Sequence, residues 1–451
     1  MKSEDIKIKD FEEIDSLLEE KQIVKAREKL LHEKEADIGE YIESLDAKNA
    51  LLVFRMLPKD VAAAVFSYLP NERQTEIIDA VTDVELAPLL KEIYLDDIVD
   101  IIEEMPANVV KKILKNSSDK NRELINQFLK YPKDSAGSLM TIEYVSLKKH
   151  VTAKEALQHI KETASEKETI YTCYVVGNER KLEGTVSLRD IVMSSDDATI
   201  ESILNRDVIS VNTHDDQETV SKVFKKYDFF VLPVVDNENR LLGIITVDDI
   251  IDVMEKEATE DFEKMAAMQP SEKAYLDENV FILAKKRIGW LFILMISQTF
   301  TSNIIDGYTS LLATMTVLTT FIPLLMDTGG NAGSQSSTLI IRGLATGEIL
   351  PRDWFKVAWK EIRIAMIVGA MLSFFIMLKT VFLSRKDVKV AIAVGATLFV
   401  SVLVAKLTGA LLPIIAKVLK LDPAIMAGPL ITTIVDSVSL ILFFSISSVL
   451  L

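Results

Sequence analysis

The spacing of apolar and polar positions changes character three times along this chain. From about residue 50 to 116 the apolar residues fall in short amphipathic stretches. Leu57-Pro58, Leu69-Pro70, Val81-Thr82, Ile93-Tyr94 and Met105-Pro106 mark a break every 12 residues. Proline or aspartate in the first turn starts each helix, and about two turns follow. The pattern predicts a superhelical stack of short helices, each burying one face against its neighbours. A second repeat follows. Gly184–Ile191 (GTVSLRDI) is echoed 59 positions later by Gly243–Ile250 (GIITVDDI), and Val175-Val176-Gly177-Asn178 by Val234-Val235-Asp236-Asn237. Each copy reads as strand, helix, strand, turn, strand, helix; in the second copy these are 208–211, 217–226, 231–235, 241–246 and 247–254.

A charged helix, Asp248 to about Met268, leaves the second copy and is broken by Pro270. From Ile288 the chain is apolar in five stretches, 288–305, 311–340, 362–383, 390–419 and 425–450. Each is long enough to cross ~30 Å of hydrocarbon. The expected fold is therefore multidomain: an all-α superhelical acidic domain over 1–135 and an α/β repeat pair over 136–254. An acidic connecting helix and linker follow over 255–287, then an α-helical membrane domain of five spans over 288–451.

Charge sharpens this division. The chain carries a net -16, yet residues 288–451 hold 12 Lys and Arg against 8 Asp and Glu, a net +4, which leaves -20 on the first 287 residues. An acidic soluble half disfavours nucleic acid, whose phosphates need a basic face, and suits cations. Met1–Glu13 is charged throughout, so no signal peptide is expected and the soluble half should stay in the cytosol. Ten basic residues then fall on the cytosolic side of the spans and four outside, which puts the C-terminus outside the cell membrane. Cys173, the single cysteine, allows no intrachain disulfide and reads as a buried strand residue. The four histidines are scattered without metal-ligand or nucleophile–base spacing, and no phosphate-binding Gly-x-x-x-x-Gly-Lys-Ser/Thr loop exists. An enzyme and an ATP-driven pump are thereby disfavoured.

The candidate chemistry lies in the spans. Asp436 sits near the middle of the last apolar run, which contains no basic residue. A carboxylate at the centre of such a helix costs ~2.5–3.5 kcal/mol on insertion scales and normally faces a protein interior or a water-filled path. Thr432 and Asp436 are four apart with Thr433 one step round, and Gly428-Pro429 opens the same helix and can free a carbonyl. The second span carries a polar stretch from Asp327 to Ser337, in which Asn331 and Gln335 share one face. Such Ser/Thr/Gly faces also serve plain helix packing. Lys406, mid-way along the fourth span, is expected to snorkel, pair with an acid or lie off the ion path, so that Lys406→Leu leaves transport intact.

Gly-Gly-Asn-Ala-Gly-Ser-Gln at 329–335 and Pro423, Gly428-Pro429-Leu430, Thr433 and Asp436 resemble the signatures of the MgtE family of magnesium transporters. The order of segments resembles it too, with 136–254 similar to a tandem pair of CBS domains. The resemblance implies a homodimeric, Mg2+-selective channel in the cell membrane, with a pore on its two-fold axis lined by Asp436 and closed by cytosolic Mg2+. Matching regulatory residues are Asp96 and Asp100; Asp216, Asp228, Asp249 and Asp252; Glu257, Glu260 and Asp261; and Asp422. The CBS likeness implies nucleotide contacts at Ser187, Arg189, Asp190, Phe229 and Thr246, with ATP tuning the response to Mg2+. Both implications fit the ion: Mg2+ keeps several waters and binds one or two carboxylates, and two carboxylates 4 Å apart repel by ~4 kcal/mol at an effective dielectric of 20 until a cation joins them. The alternative from another class is a membrane-anchored CBS sensor without flux, which leaves Asp436 and the 327–337 stretch without a role.

Overall fold

Pro58, Pro70, Thr82, Tyr94, Pro106 and Ser118 each become the N-cap of a helix. In the computed structural model, which describes residues 4–271, 275–276, 278–426 and 428–451, ten helices make up the N-terminal region. They are α1 Glu4–Glu19, α2 Ile23–Leu30, α3 Glu35–Ser44, α4 Ala47–Met56, α5 Lys59–Ser67, α6 Asn71–Ala80, α7 Asp83–Glu92, α8 Leu95–Glu104, α9 Ala107–Asn116 and α10 Asp119–Phe128. A proline N-cap suits this spacing, because the helix start needs no donor there and the fixed φ ends the preceding segment. Alternate helices pack on one another: α3 on α5, α5 on α7, α7 on α9, α4 on α6 and α8 on α10. Lys112 on α9 ties the stack, donating to the Ile78, Asp79 and Val81 carbonyls at the end of α6. It thus satisfies carbonyls that have no partner within that helix.

The repeat pair contains two small sheets. The first joins β1 Tyr144–Leu147, β2 Thr169–Val176 and β3 Leu182–Ser187; the second joins β4 Val211–Asn212, β5 Val231–Val235 and β6 Leu241–Thr246. In each the first pair is parallel and the second antiparallel. A parallel pair needs a long crossover, supplied by α12 Ala153–Thr163 and α15 Gln217–Tyr227, while short α11 Ala136–Leu139, α13 Leu188–Met193 and α14 Ile200–Ile203 complete the copies. Strand β4 is shorter and later than the expected 208–211, because only Val211 and Asn212 reach β5. Cys173 is fully buried in β2, and burial pushes its thiol up to about 12. Helix α16, Val247–Met265, leaves β6.

The chain divides into two units, Met1–Met254 and Glu255–Leu451. Residues 272–274 and 277 of the expected linker lie outside the described residues. The second unit holds α17 Val280–Gly307, α18 Thr309–Thr314, α19 Ile322–Ala345, α20 Trp354–Leu378, α21 Val388–Val418 and α22 Gly428–Leu450. Among the described residues, three helical stretches, Pro351–Leu383, Val388–Val418 and Pro423–Leu450, are long and apolar enough to cross a membrane. Helix α17 (28 residues) and helix α19 (24 residues) are as long as a span but carry polar or basic positions. The expected second span, 311–340, is interrupted: a 3-10 turn at Thr316–Phe321 precedes α19, and Pro323 lies in the first turn of the new helix. Proline cannot continue a helix from the N-terminal side but opens one readily.

Candidate ion pathway and regulatory acids

Helices α19, α21 and α22 meet through glycines. A Cβ on Gly409 of α21 would lie 2.1 Å from the Gly333 carbonyl oxygen of α19. On α19, Gly329, Gly330 and Gly333 receive Val435, Thr432 and Ile431 of α22 at 2.7–2.9 Å from where their own Cβ atoms would be. Small residues therefore set how closely these backbones approach. On the α22 side of this seam Asp436 is buried, and its Oδ1 has no hydrogen-bond partner. Ser439, one turn on, is likewise buried and lies against Gly329, and its hydroxyl is also unpartnered.

The other α22 candidates are only partly buried. Thr432 donates to the Gly428 carbonyl (2.8 Å) and Thr433 to the Pro429 carbonyl (3.0 Å). The hydroxyls thus cover the carbonyls in the proline turn, a back-bonding known to bend helices. Thr433 and Ser437 also line a groove of about 580 Å3 with Ser297, Phe300 and Asn303 of α17. Asn331 and Gln335 share an exposed face of α19, and Asp327 extends it by one turn. A stripe of carboxylate and amides on an otherwise apolar helix is costly against lipid, so it belongs beside water or another polar surface.

Two buried groups act behind this seam, Glu361, which sequence reasoning missed, and Lys406, which it singled out without a partner. Glu361 of α20 is buried, on a stripe of buried residues, Val357, Glu361, Ala365, Gly369 and Ser373, spaced four apart. That spacing was the available signal; flanked by Lys360 and Arg363, Glu361 reads as a cytosolic loop residue instead. Lys406 is buried too, and donates to Ser336 Oγ (3.3 Å), which donates to Glu361 (2.7 Å). Lys406 touches no acid directly among the described residues; the Ser336 hydroxyl links it to Glu361.

The acids of the first unit gather around α8. Asp96 has a buried, unpartnered Oδ1, and burial, followed by the charges of Asp97, Asp249, Glu168 and Glu143, holds its carboxyl well above the usual range. Burial raises Asp249 to about 6 against the Thr246 hydroxyl that donates to it (2.8 Å). Burial and the charges of Asp248 and Asp249 raise Glu168 to about 7. Asp97 is raised by burial although Ser67 donates to it. Asp97 and Glu168 were not among the expected ligands. Asp100 and Asp252 are exposed. Asp216 is exposed as well and caps α15, accepting from the Glu218 amide (2.9 Å), while Asp228 ends that helix with φ 53°. Their positions are explained by local structure. Among the described residues no three acids or histidines converge on one point, yet a hydrated Mg2+ needs only one or two carboxylates.

In the second unit Lys264 of α16 reaches both Glu260 (2.5 Å) and Asp422 (2.8 Å). The expected facing pair is thus joined by an ammonium group of the chain itself, and burial notwithstanding, those two partners raise its pKa. Glu257 and Asp261 are half-buried on the same helix.

The nucleotide candidates form two equivalent turns. Ser187 donates to Asp190 (2.6 Å) and accepts from its amide, capping α13 beside exposed Arg189; Thr246 donates to Asp249 at the start of α16. Phe229 stacks on Tyr227 and adjoins the second turn, where the Val247 amide donates to the Phe230 carbonyl. The motif is first a helix cap. What remains free for a ligand is its exposed edge.

Residues 322–446 match the family described as MgtE, divalent cation transporter, residues 33–134 the MgtE intracellular N domain, and 136–197 and 200–256 the CBS domain. The magnesium transporter MgtE of Thermus thermophilus is 37% identical over 414 residues, covering 91% of both chains. The chain belongs to the MgtE family of magnesium transporters. The Bacillus subtilis MgtE is 30% identical over 91% of this chain and 93% of its own. Two solved structures, the soluble part of a magnesium transporter (TM-score 0.53, covering 56% of this chain and 99% of that one) and the cytosolic domain of the Mg2+ channel MgtE in complex with ATP (TM-score 0.51, 53% and 98%), are each 35% identical. In MgtE terms the fold has the helical N-domain, the CBS pair and a helical C-terminal region of apolar helices, as in a multi-pass membrane transporter.

Proposed function

We propose that the protein admits Mg2+ to the cytosol down its electrochemical gradient, through a path that passes Asp436, and that Mg2+ bound to its acidic cytosolic surfaces closes that path. The observation that carries this reading is the buried Asp436 carboxyl with an unpartnered oxygen, on a helix apolar enough to span a bilayer. An ionisable group so placed marks an ion route by default. The inside-negative potential supplies the drive: a divalent ion gains ~4.6 kcal/mol per 100 mV, and no nucleotide hydrolysis is required. A second copy facing the first across the exposed Asp327, Asn331 and Gln335 stripe would shield it from lipid and double the carboxylates. We therefore read the working form as a homodimer with its pore on the shared axis, the N-terminal domains cytoplasmic and the C-terminus outside.

Closure uses two junctions. Asp96 and Asp249 crowd at the first, where a divalent ion relieves the repulsion, and Asp100, Asp216, Asp228 and Asp252 add carboxylates of the same unit; Glu257, Glu260, Asp261 and Asp422 make up the second. ATP on the CBS pair, through Ser187, Arg189, Asp190, Phe229 and Thr246, tunes this response, as the relative's ATP complex suggests. The decisive test is Mg2+ influx into liposomes with an internal Mg2+ dye. Wild-type protein is expected to conduct, and Asp436→Ala to conduct at least tenfold less or to lose selectivity. Equal flux in both would move the path elsewhere, and no flux in either would favour an anchored sensor.

A further inference from the structure

Two opposite charges lie buried in the membrane unit and do not touch. Lys406 of α21 and Glu361 of α20 are both buried, and each reaches Ser336 of α19. The Ser336 hydroxyl has one proton, given to Glu361 at 2.7 Å, so towards Lys406 (3.3 Å) it accepts. The Ala332 carbonyl, at 3.4 Å, is the weaker alternative acceptor. Lys406, Ser336 and Glu361 thus form a directional chain across three helices. Removing either charge leaves the other buried without its counter-charge.

Its place on α19 gives it leverage. One turn before Ser336, Gly333 meets Gly409, which lies nearly one turn after Lys406, at an approach too close to admit a Cβ on Gly409. At 100° per residue, Ser336 is about 140° around the helix from Asn331, close to the opposite side. The face presenting Asp327, Asn331 and Gln335 is exposed, whereas the face behind it is held by the charged chain. A helix held on one side by directional bonds cannot rotate without breaking them.

We infer that Lys406, Ser336 and Glu361 are positioning residues, a buried charge relay that sets the rotation of α19 and so the aim of its polar stripe at the ion path. This rests on the transport reading above. It also reverses the expectation for Lys406: a neutral residue there strands Glu361.

The test uses full-length protein in liposomes, with Mg2+ and Ca2+ influx measured separately for Ser336→Ala, Ser336→Thr, Glu361→Gln, Lys406→Met and the Glu361→Gln/Lys406→Met double variant. Ser336→Ala is expected to lower the Mg2+-over-Ca2+ ratio about tenfold, with Ser336→Thr restoring most of it. Each single charge removal should cost more flux than the double variant. A second readout needs no transport: the rate at which a hydrophilic maleimide labels Gln335→Cys, with native Cys173 buried. That rate should change at least threefold when Ser336→Ala is added. Absence of Mg2+ flux in the wild type would sink the transport reading alone, and the labelling rate would then decide the relay. An unchanged labelling rate, or a double variant whose loss is the product of the two single losses, overturns it.

Discussion

At the scale of single residues, the membrane unit is governed by what its glycines admit. Gly409 and Gly289 make the contrast: a Cβ on the first would collide with the Gly333 backbone oxygen, whereas one on the second meets nothing within 4 Å. Gly409→Ala should therefore force α19 and α21 apart, an overpacking cost of about 1–3 kcal/mol, and lower the detergent melting temperature. Gly289→Ala, in the helical stretch of α17, should be neutral or slightly stabilising, since alanine is the better helix former. Equal melting temperatures for the two variants would contradict the seam described above. Asp436, Asn331 and Gln335 were legible in the sequence because each is a polar exception in an apolar run. Glu361 was not, because it stands among charged neighbours just before the expected span 362–383, and only its spacing of four from Val357 and Ala365 gives it away. Neither could the spacing of Lys406 reveal a partner on another helix, since that depends on how α19, α20 and α21 pack.

At the scale of elements, the 12-residue breaks of the N-domain and the 59-residue echo of the CBS pair were readable because a turn residue or a glycine marks each unit. The two-residue β4 and the break before α19 were less so, since strand pairing and helix entry depend on partners far away in sequence. The junction of α16 with the turn before α22 is the element whose behaviour can be forecast. Lys264 sits between Glu260 and Asp422 as a tethered cation. Lys264→Gln removes that cation, which leaves the two carboxylates repelling until Mg2+ arrives. It also removes a competitor for Mg2+. Flux through the variant should be higher than wild type at low internal Mg2+ and fall more steeply as internal Mg2+ rises. Superimposable dose–response curves would mean that this contact has no part in gating.

Over the whole molecule, acid crowding makes stability depend jointly on pH and divalent ions. Burial raises Asp249 to about 6 and Glu168 to about 7, and lifts Asp96 and Asp97 as well. Unfolded, such groups titrate near 4, so between about pH 4 and 7 the folded state binds more protons and its stability falls as pH rises. Without divalent ions the protein should melt at a higher temperature at pH 5.5 than at pH 7.5. Mg2+ binds the ionised form, so its stabilising effect should be larger at pH 7.5 than at pH 5.5. An equal Mg2+ effect at both values would remove these carboxylates as ligands. Composition announced this much, for the first 287 residues carry a net -20; which acids crowd together required the fold.

The polar seam also bears on how the protein is made. Helix α19 enters the membrane with Asp327, Asn331, Gln335 and Ser336, while Lys406 and Asp436, which it needs as neighbours, are synthesised only with α21 and α22. Polar groups in hydrocarbon without partners are costly, so α19 gains its full set of partners only once α21 and α22 have been made. The final packing of α19 thus depends on helices made after it, and a change in α21 or α22 can misplace a helix synthesised long before.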